Sequence, residues 1–214
     1  MKKPCGTPWK IASEEIQWHY IHRIENSIKN AENNNNIVLF CDASHIIHNT
    51  LIRSLRQNKW EKYTMKIQMN SWRDRRNILW TMRVWSNEVF AKTFCWSCNS
   101  ESFVEYLYEL RDYYKDKSYI DIYLDNARYQ KTQLVRETAK VLKIRLHYLP
   151  PYTPNLNLIE KLWKWLKWKL ANVYHESSLC LYETICDLLR KTKTEFRDEI
   201  LKISKSRIRI LNFI

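Results

Sequence analysis

The chain has 214 residues, and its 36 Lys plus Arg against 23 Asp plus Glu leave a formal net charge of +13. Its 45% hydrophobic and 14% aromatic residues supply a buried core, which excludes wholesale disorder and suits one ordinary domain. The longest unbroken apolar run, Ile37 to Cys41, is far below the roughly 18 to 20 residues that cross a bilayer, which excludes a membrane span, and Pro4, Gly6, Pro8 and Lys10 stand where a signal peptide needs an apolar stretch.

In chain order, a basic lead from Met1 to Lys10 precedes a predicted helix over 13–31, with Ser13 as its cap and Glu14 and Glu15 in its first turn. Asn33 to Asn36 form a polar tract that ends this segment, so residues 1–36 read as an arm or linker. Ile37-Val-Leu-Phe-Cys-Asp42 is apolar without alternation, the pattern of a strand covered on both faces, and it ends in an Asp. Two or three antiparallel strands are expected between Lys62 and Phe94, among them Tyr63–Ile67 and Asn77–Trp85. A helix follows over 100–115, capped by Ser100, with apolar residues at 103, 104, 107 and 110. Tyr119 to Asp125 repeats the buried strand ending in Asp. A helix over 130–142, a strand over 144–149 and a rigid Pro150–Pro154 loop come next. Asn157 caps a helix reaching about Ala171, a last helix runs over 179–196, and a basic tail closes the chain.

The six cysteines are too sparse and irregular for a disulfide framework, and they read as reduced and cytosolic. The positive surplus suits an extended anionic partner, nucleic acid first and an anionic membrane surface second. Glycine occurs only at Gly6, where average usage of about 7% would give roughly 15, so turns must fall on Asn, Asp, Ser and Pro.

Strand ends at the edge of an α/β sheet are where ligands collect, which makes Asp42 and Asp125 candidate site residues, although a strand-end Asp also caps loops. Glu160 lies three residues after Asn157, where it reads either as a third site acid or as a capping-box Glu serving the backbone. Lys164 and Lys167 share its helical face and put positive charge beside it, or form a solvated lysine face. Arg73, Arg75 and Arg76 are a second candidate phosphate contact. Trp163, Trp165 and Trp168 offer base stacking, with core packing as the alternative reading, and Cys95-Trp-Ser-Cys98 lacks the second pair that a structural zinc site needs.

Phe40-Cys-Asp42-Ala-Ser-His45, Leu124-Asp125-Asn126-Ala-Arg-Tyr-Gln130 and Leu149-Pro-Pro-Tyr-Thr-Pro-Asn-Leu-Asn-Leu-Ile-Glu160-Lys-Leu-Trp163 together resemble the catalytic domain of mariner-related transposases. Among these the chain is most similar to the bacterial insertion-sequence transposases of family number 630, and the 34 residues between Asp125 and Glu160 match that superfamily's spacing. The resemblance covers about Ile37 to Phe196. It implies an α/β, RNase H-like fold with a mixed sheet of about five strands flanked by helices. It also implies a division into an arm (1–36), a DDE catalytic domain (37–196) and a basic tail (197–214).

The activity implied is DNA cleavage and strand transfer in transposition, with Asp42, Asp125 and Glu160 as catalytic residues and as ligands of two Mg²⁺ or Mn²⁺ ions. Magnesium is a hard cation that prefers oxygen ligands, and two ions roughly 3.5 to 4 Å apart serve both ends of an in-line displacement at phosphorus. His45 belongs to the motif of Asp42 and is expected near the site, as a hydrogen-bonding group rather than a ligand. The implied partners are DNA, as element ends and target, and a second copy in a homodimer, in a cytoplasmic, nucleoid-associated setting. Relatives carry helix-turn-helix domains before the core, and residues 1–36 are too short for them, which implies a separate partner chain or a missing N-terminal domain. The rival readings are a DNA-binding remnant or frame partner that binds without cutting, and a repair or resolvase-type nuclease. Tryptophans at 72 and 80 stand where relatives commonly have glycine, and bulky residues there are expected to strain the central strands.

Overall fold

The computed structural model describes residues 12–48, 74–94, 97–151, 153 and 156–205, without the side chains of Glu32 and Arg75. Arg73, Trp72, Cys95, the expected Tyr63–Ile67 strand and part of the Pro150–Pro154 loop lie outside the described residues.

Five strands form one sheet: β1 (Ile37–Ile47), β2 (Arg75–Arg83), β3 (Val89–Phe94), β4 (Ile120–Leu124) and β5 (Ile144–Tyr148). Their spatial order is β3-β2-β1-β4-β5. The first three strands in the chain are antiparallel neighbours, whereas β4 runs parallel to both β1 and β5. The mixed five-stranded α/β sheet is the expected one. β1, however, does not stop at Asp42: it continues to Ile47 because its second half pairs with β2, from Asp42 opposite Trp80 to Ile47 opposite Arg75.

Helices cover both faces. Alternation along β1 sends Val38 and Phe40 to one face and Ile37, Leu39 and Cys41 to the other, and all five are buried. The second face is covered by α2 (Ser100–Tyr113) and α3 (Gln133–Val141), which contribute Phe103, Leu107, Leu110, Val135 and Ala139. On the first face lie α1 (Glu14–Asn33), α4 (Ile159–Lys169), α5 (Ser178–Lys191) and α6 (Arg197–Ser204), contributing among others Ile24, Ile28, Leu162, Leu166, Ile185 and Ile200. Each such side chain contributes about 1.5 to 3 kcal/mol on full burial, so the two clusters fix the helices against the sheet.

Ser13 caps α1 as expected, accepting from the Ile16 amide at 3.4 Å. The Asn33–Asn36 tract does more than end that helix. The Asn35 amide donates to Asp116 O at 2.8 Å, and Asn36 Oδ1 accepts from Tyr119 N at 3.1 Å, so the short polar side chains satisfy backbone groups of the loop before β4. Three helix boundaries also differ from expectation. Asn99 caps α2 in place of Ser100, in a reciprocal pair with Ser102. The expected helix over 130–142 divides into a 3-10 turn (Arg128–Lys131) and α3. The helix expected over 179–196 ends as α5 at Lys191, where Thr192 turns its hydroxyl back to Leu189 O at 2.7 Å and Phe196 packs edge-on against Trp165, and a further helix, α6, occupies the start of the expected basic tail.

Candidate metal and DNA site

The parallel pairing of β1 with β4 places Phe40 beside Tyr123, both in the first-face core. Asp42 stands two residues beyond Phe40 on β1, and Asp125 stands two residues beyond Tyr123, just past the end of β4, so both acids lie toward the carboxyl ends of neighbouring parallel strands. By alternation Asp42 shares the face of Phe40, the face covered by α4. Asp125 follows the last residue of β4 and is exposed. Glu160 is in the first turn of α4 and half-buried.

Asp42 is held at both oxygens. Its Oδ1 accepts from the Ala43 amide at 2.7 Å, and its Oδ2 accepts from the Trp163 indole Nε1 at 3.1 Å. Burial raises its pKa to about 7, with the Asp125 charge and then that of Glu160 adding to the rise and the bonds from Ala43 and Trp163 opposing it. Asp42 therefore feels the charge of both other acids. Glu160 is also raised by burial, against the pull of Lys164 one turn away. Among the described residues no three His, Cys, Asp or Glu side chains stand close enough to hold a metal ion at once. By donor chemistry the set fits a hard divalent cation: three carboxylates, with unused lone pairs on both Asp42 oxygens.

Two side chains that sequence reasoning did not single out as supports tie the motif segments together. Asn126 donates its amide to Leu149 O, and Leu149 N donates to Leu124 O at 2.8 Å, which fixes the Pro150 loop against the end of β4. The buried Asn157 donates to Cys41 O at 3.5 Å and accepts from Ile159 N at 3.3 Å, joining the start of α4 to the residue before Asp42. The helix itself begins at Ile159, one residue later than an Asn157 cap implies. The only sequence signal for either Asn is its adjacency to a motif acid or its place in the motif loop.

The basic groups are dispersed. Lys164 and Lys167 are exposed on α4, and Trp168 beside them is 57% exposed, whereas Trp163 and Trp165 are buried. Arg76 lies half-buried on β2, and the Arg75 backbone pairs with Ile47. His45 lies within β1, and His48 follows its last residue. His45 is on β1 and exposed, three residues beyond Asp42, and alternation puts it on the opposite face from the acid. His48 is buried, with Nε2 2.9 Å from His175 O.

Among the described residues no helix is long and apolar enough to cross a membrane. A family model described as DDE superfamily endonuclease matches residues 37–180. No curated protein matches the sequence significantly. Among solved structures, the chain is similar to the Mos1 transposase paired-end complex with left transposon end, at 14% identity and a TM-score of 0.65 over 98% of this chain and 68% of that one. It is also similar to the mariner Mos1 paired end complex with Mg, at 15% identity and a TM-score of 0.69 over 95% and 63%. The isolated catalytic domain of Mos1 mariner transposase aligns at 12% identity and a TM-score of 0.56, over 92% and 98%. At these identities the likeness is one of fold, the RNase H-like α/β fold, and the chain spans about two thirds of the length of the first of these transposases.

Proposed function

Because the chain belongs to the DDE superfamily endonucleases, we propose that it is a transposase catalytic unit that cuts DNA and joins the cut strand to a target. It would belong to the bacterial insertion-sequence branch of family number 630. The observation that carries this reading is that Asp42 and Asp125 follow the paired Phe40 and Tyr123 of adjacent parallel strands by two residues each, and that the charges of Asp125 and of Glu160 on α4 both act on Asp42.

Asp42, Asp125 and Glu160 would hold Mg²⁺ or Mn²⁺, two ions in the full site. Bound there, the ions supply charge neutralisation at the scissile phosphate and an activated water or 3′-hydroxyl. The chain's own residues do the rest. Burial and the neighbouring acids make Asp42 a site that prefers a positive partner, either a proton or a cation, at neutral pH. Trp163 and Ala43 keep its oxygens as acceptors. Lys164 and Lys167 present exposed charge along α4 to the DNA backbone, and Trp168 offers a flat exposed ring beside them. Arg73, Arg75 and Arg76, before and within β2, and His45 on the far face of β1 are proposed as outer contacts of the flanking duplex.

We propose 37–196 as the catalytic unit, between an arm (1–36) and a basic tail (197–214). α1 and α6, from these flanks, contribute Ile24 and Ile200 to its core. Element ends and target DNA would be engaged as a homodimer at the bacterial nucleoid, with helix-turn-helix recognition supplied by another chain or a further domain. Incubation of the chain with supercoiled plasmid and Mn²⁺ or Mg²⁺ tests this. Nicked circles that form with the metal and not with EDTA are expected, and their absence at any divalent concentration contradicts the reading.

A further inference from the structure

We propose that Trp163 is a positioning residue, whose indole N–H docks the helix carrying Glu160 onto the strand carrying Asp42 and fixes the Asp42 carboxylate for a divalent cation. The inference rests on the reading of Asp42 and Glu160 as metal ligands. Glu160 and Trp163 are three residues apart on α4, so both project from one side of that helix. From that side Trp163 Nε1 reaches Asp42 Oδ2 at 3.1 Å.

The indole is itself locked. It is buried, and it meets the Trp80 ring edge-on, with centroids 4.6 Å apart and planes at 66°. Trp80 is in turn the cross-strand partner of Asp42 on β2. The pair thus ties the acid's neighbour on β2 to the α4 side chain that bonds it.

Packing alone does not account for a tryptophan here. A phenylalanine could fill much of the same space against Trp80, but it would leave Oδ2 without its donor and the carboxylate free to turn. With Oδ1 on the Ala43 amide and Oδ2 on the indole, rotation about the carboxylate bond is suppressed and one lone pair on each oxygen stays available. An indole N–H donates and never accepts, so it holds Oδ2 in the acceptor role that a cation also requires. Partners that orient metal-ligating groups in this way typically change metal affinity by 10- to 100-fold.

The test is Mn²⁺ binding, read from the paramagnetic resonance of free Mn²⁺, in the parent chain, Trp163→Phe, Trp80→Phe and Asp42→Asn, with melting in EDTA as the fold control. Trp163→Phe is expected to weaken Mn²⁺ binding roughly 10- to 100-fold and Trp80→Phe to weaken it less, while Asp42→Asn abolishes it. If Trp163→Phe binds Mn²⁺ as the parent does while Asp42→Asn does not, the positioning role is wrong and the acid site stands. If Asp42→Asn binds as well as the parent, the acid site itself is wrong. Should Trp163→Phe fail to fold, 5-fluorotryptophan placed at position 163 alone reports on the unaltered site. Its ¹⁹F resonance is expected to move on addition of Mg²⁺ and to stay fixed in the Asp42→Asn background, and a resonance unmoved by saturating Mg²⁺ overturns the proposal.

Discussion

Asp42 stands directly opposite Trp80 in the antiparallel pairing of β1 with β2, and Trp80 is buried in the first-face core on the same side of the sheet. The bulk of Trp80 does not distort the strand: pairing continues without interruption from Leu39 opposite Arg83 to Ile47 opposite Arg75. Burial is the main reason the Asp42 pKa rises to about 7, ahead of Asp125 and Glu160.

A pH dependence follows. The folded chain holds the Asp42 proton up to about pH 7, while an unfolded Asp releases it near pH 4, so the folded state binds more protons between these values and its stability falls as pH rises through that window. Asp125→Asn removes the largest charge contribution to the rise at an exposed position. In EDTA the variant is expected to match the parent near pH 4 and to exceed it by about 1 kcal/mol near pH 8, by urea unfolding. Equal stability at both values would contradict the coupling of the two acids.

Divalent cations should reverse that loss. Mg²⁺ or Mn²⁺ at about 100 times its dissociation constant stabilises a folded chain by about 2.7 kcal/mol, and protons compete for the same carboxylates. The melting temperature is therefore expected to rise with added metal near pH 8 and to respond little near pH 5, where Asp42 is protonated. A metal response as large at pH 5 as at pH 8 would place the binding elsewhere.

Among the described residues, left-handed backbone lies outside the strands, where the scarcity of glycine leaves other residues in that conformation. Asn35, Trp85, Lys143 and Asn172 have φ of 51°, 57°, 55° and 61°. Asn tolerates this region and Trp and Lys tolerate it less, at roughly 1 to 2 kcal/mol per residue. Lys143 ends the turn between α3 and β5, the position that glycine commonly takes after a helix. Lys143→Gly is expected to raise stability by about 1 kcal/mol in urea unfolding, with no change in Mn²⁺ binding.

Much of this architecture was legible in the sequence, and the gaps have physical causes. β1 announces itself through an unbroken apolar run, β4 through an apolar run interrupted only by Asp121, and α4 through the 3.6-residue spacing of Leu162, Leu166 and Leu170, and the motif acids mark the region where these elements meet. The extension of β1 through His45 to Ile47 was hidden because it depends on pairing with β2, a partner distant in sequence. The break between α5 and α6 carries no glycine or proline, and it arises from the Thr192 hydroxyl and the docking of Phe196 on Trp165. The indole bond to Asp42 was likewise invisible, because Trp163 satisfies the core pattern of its helix just as well without it.

The basic face of α4 gives a separate test. Lys164 and Lys167 are exposed, so Lys164→Ala and Lys167→Ala should leave melting unchanged. Each is expected to reduce the slope of log DNA affinity against log salt by about 1, as one phosphate contact is lost. A slope unaltered in the double variant would remove this face from the DNA path.

Nicking by Asp125→Asn tests the central claim most directly, since Asp125 is exposed at the end of β4 and its replacement leaves the core intact. With Mn²⁺ and supercoiled plasmid, the parent is expected to yield nicked circles and the variant to fall by about a thousandfold or more, while still melting cooperatively and binding DNA with the parent's salt dependence. A variant that nicks as fast as the parent would contradict the assignment of Asp42, Asp125 and Glu160 as the site of DNA cleavage.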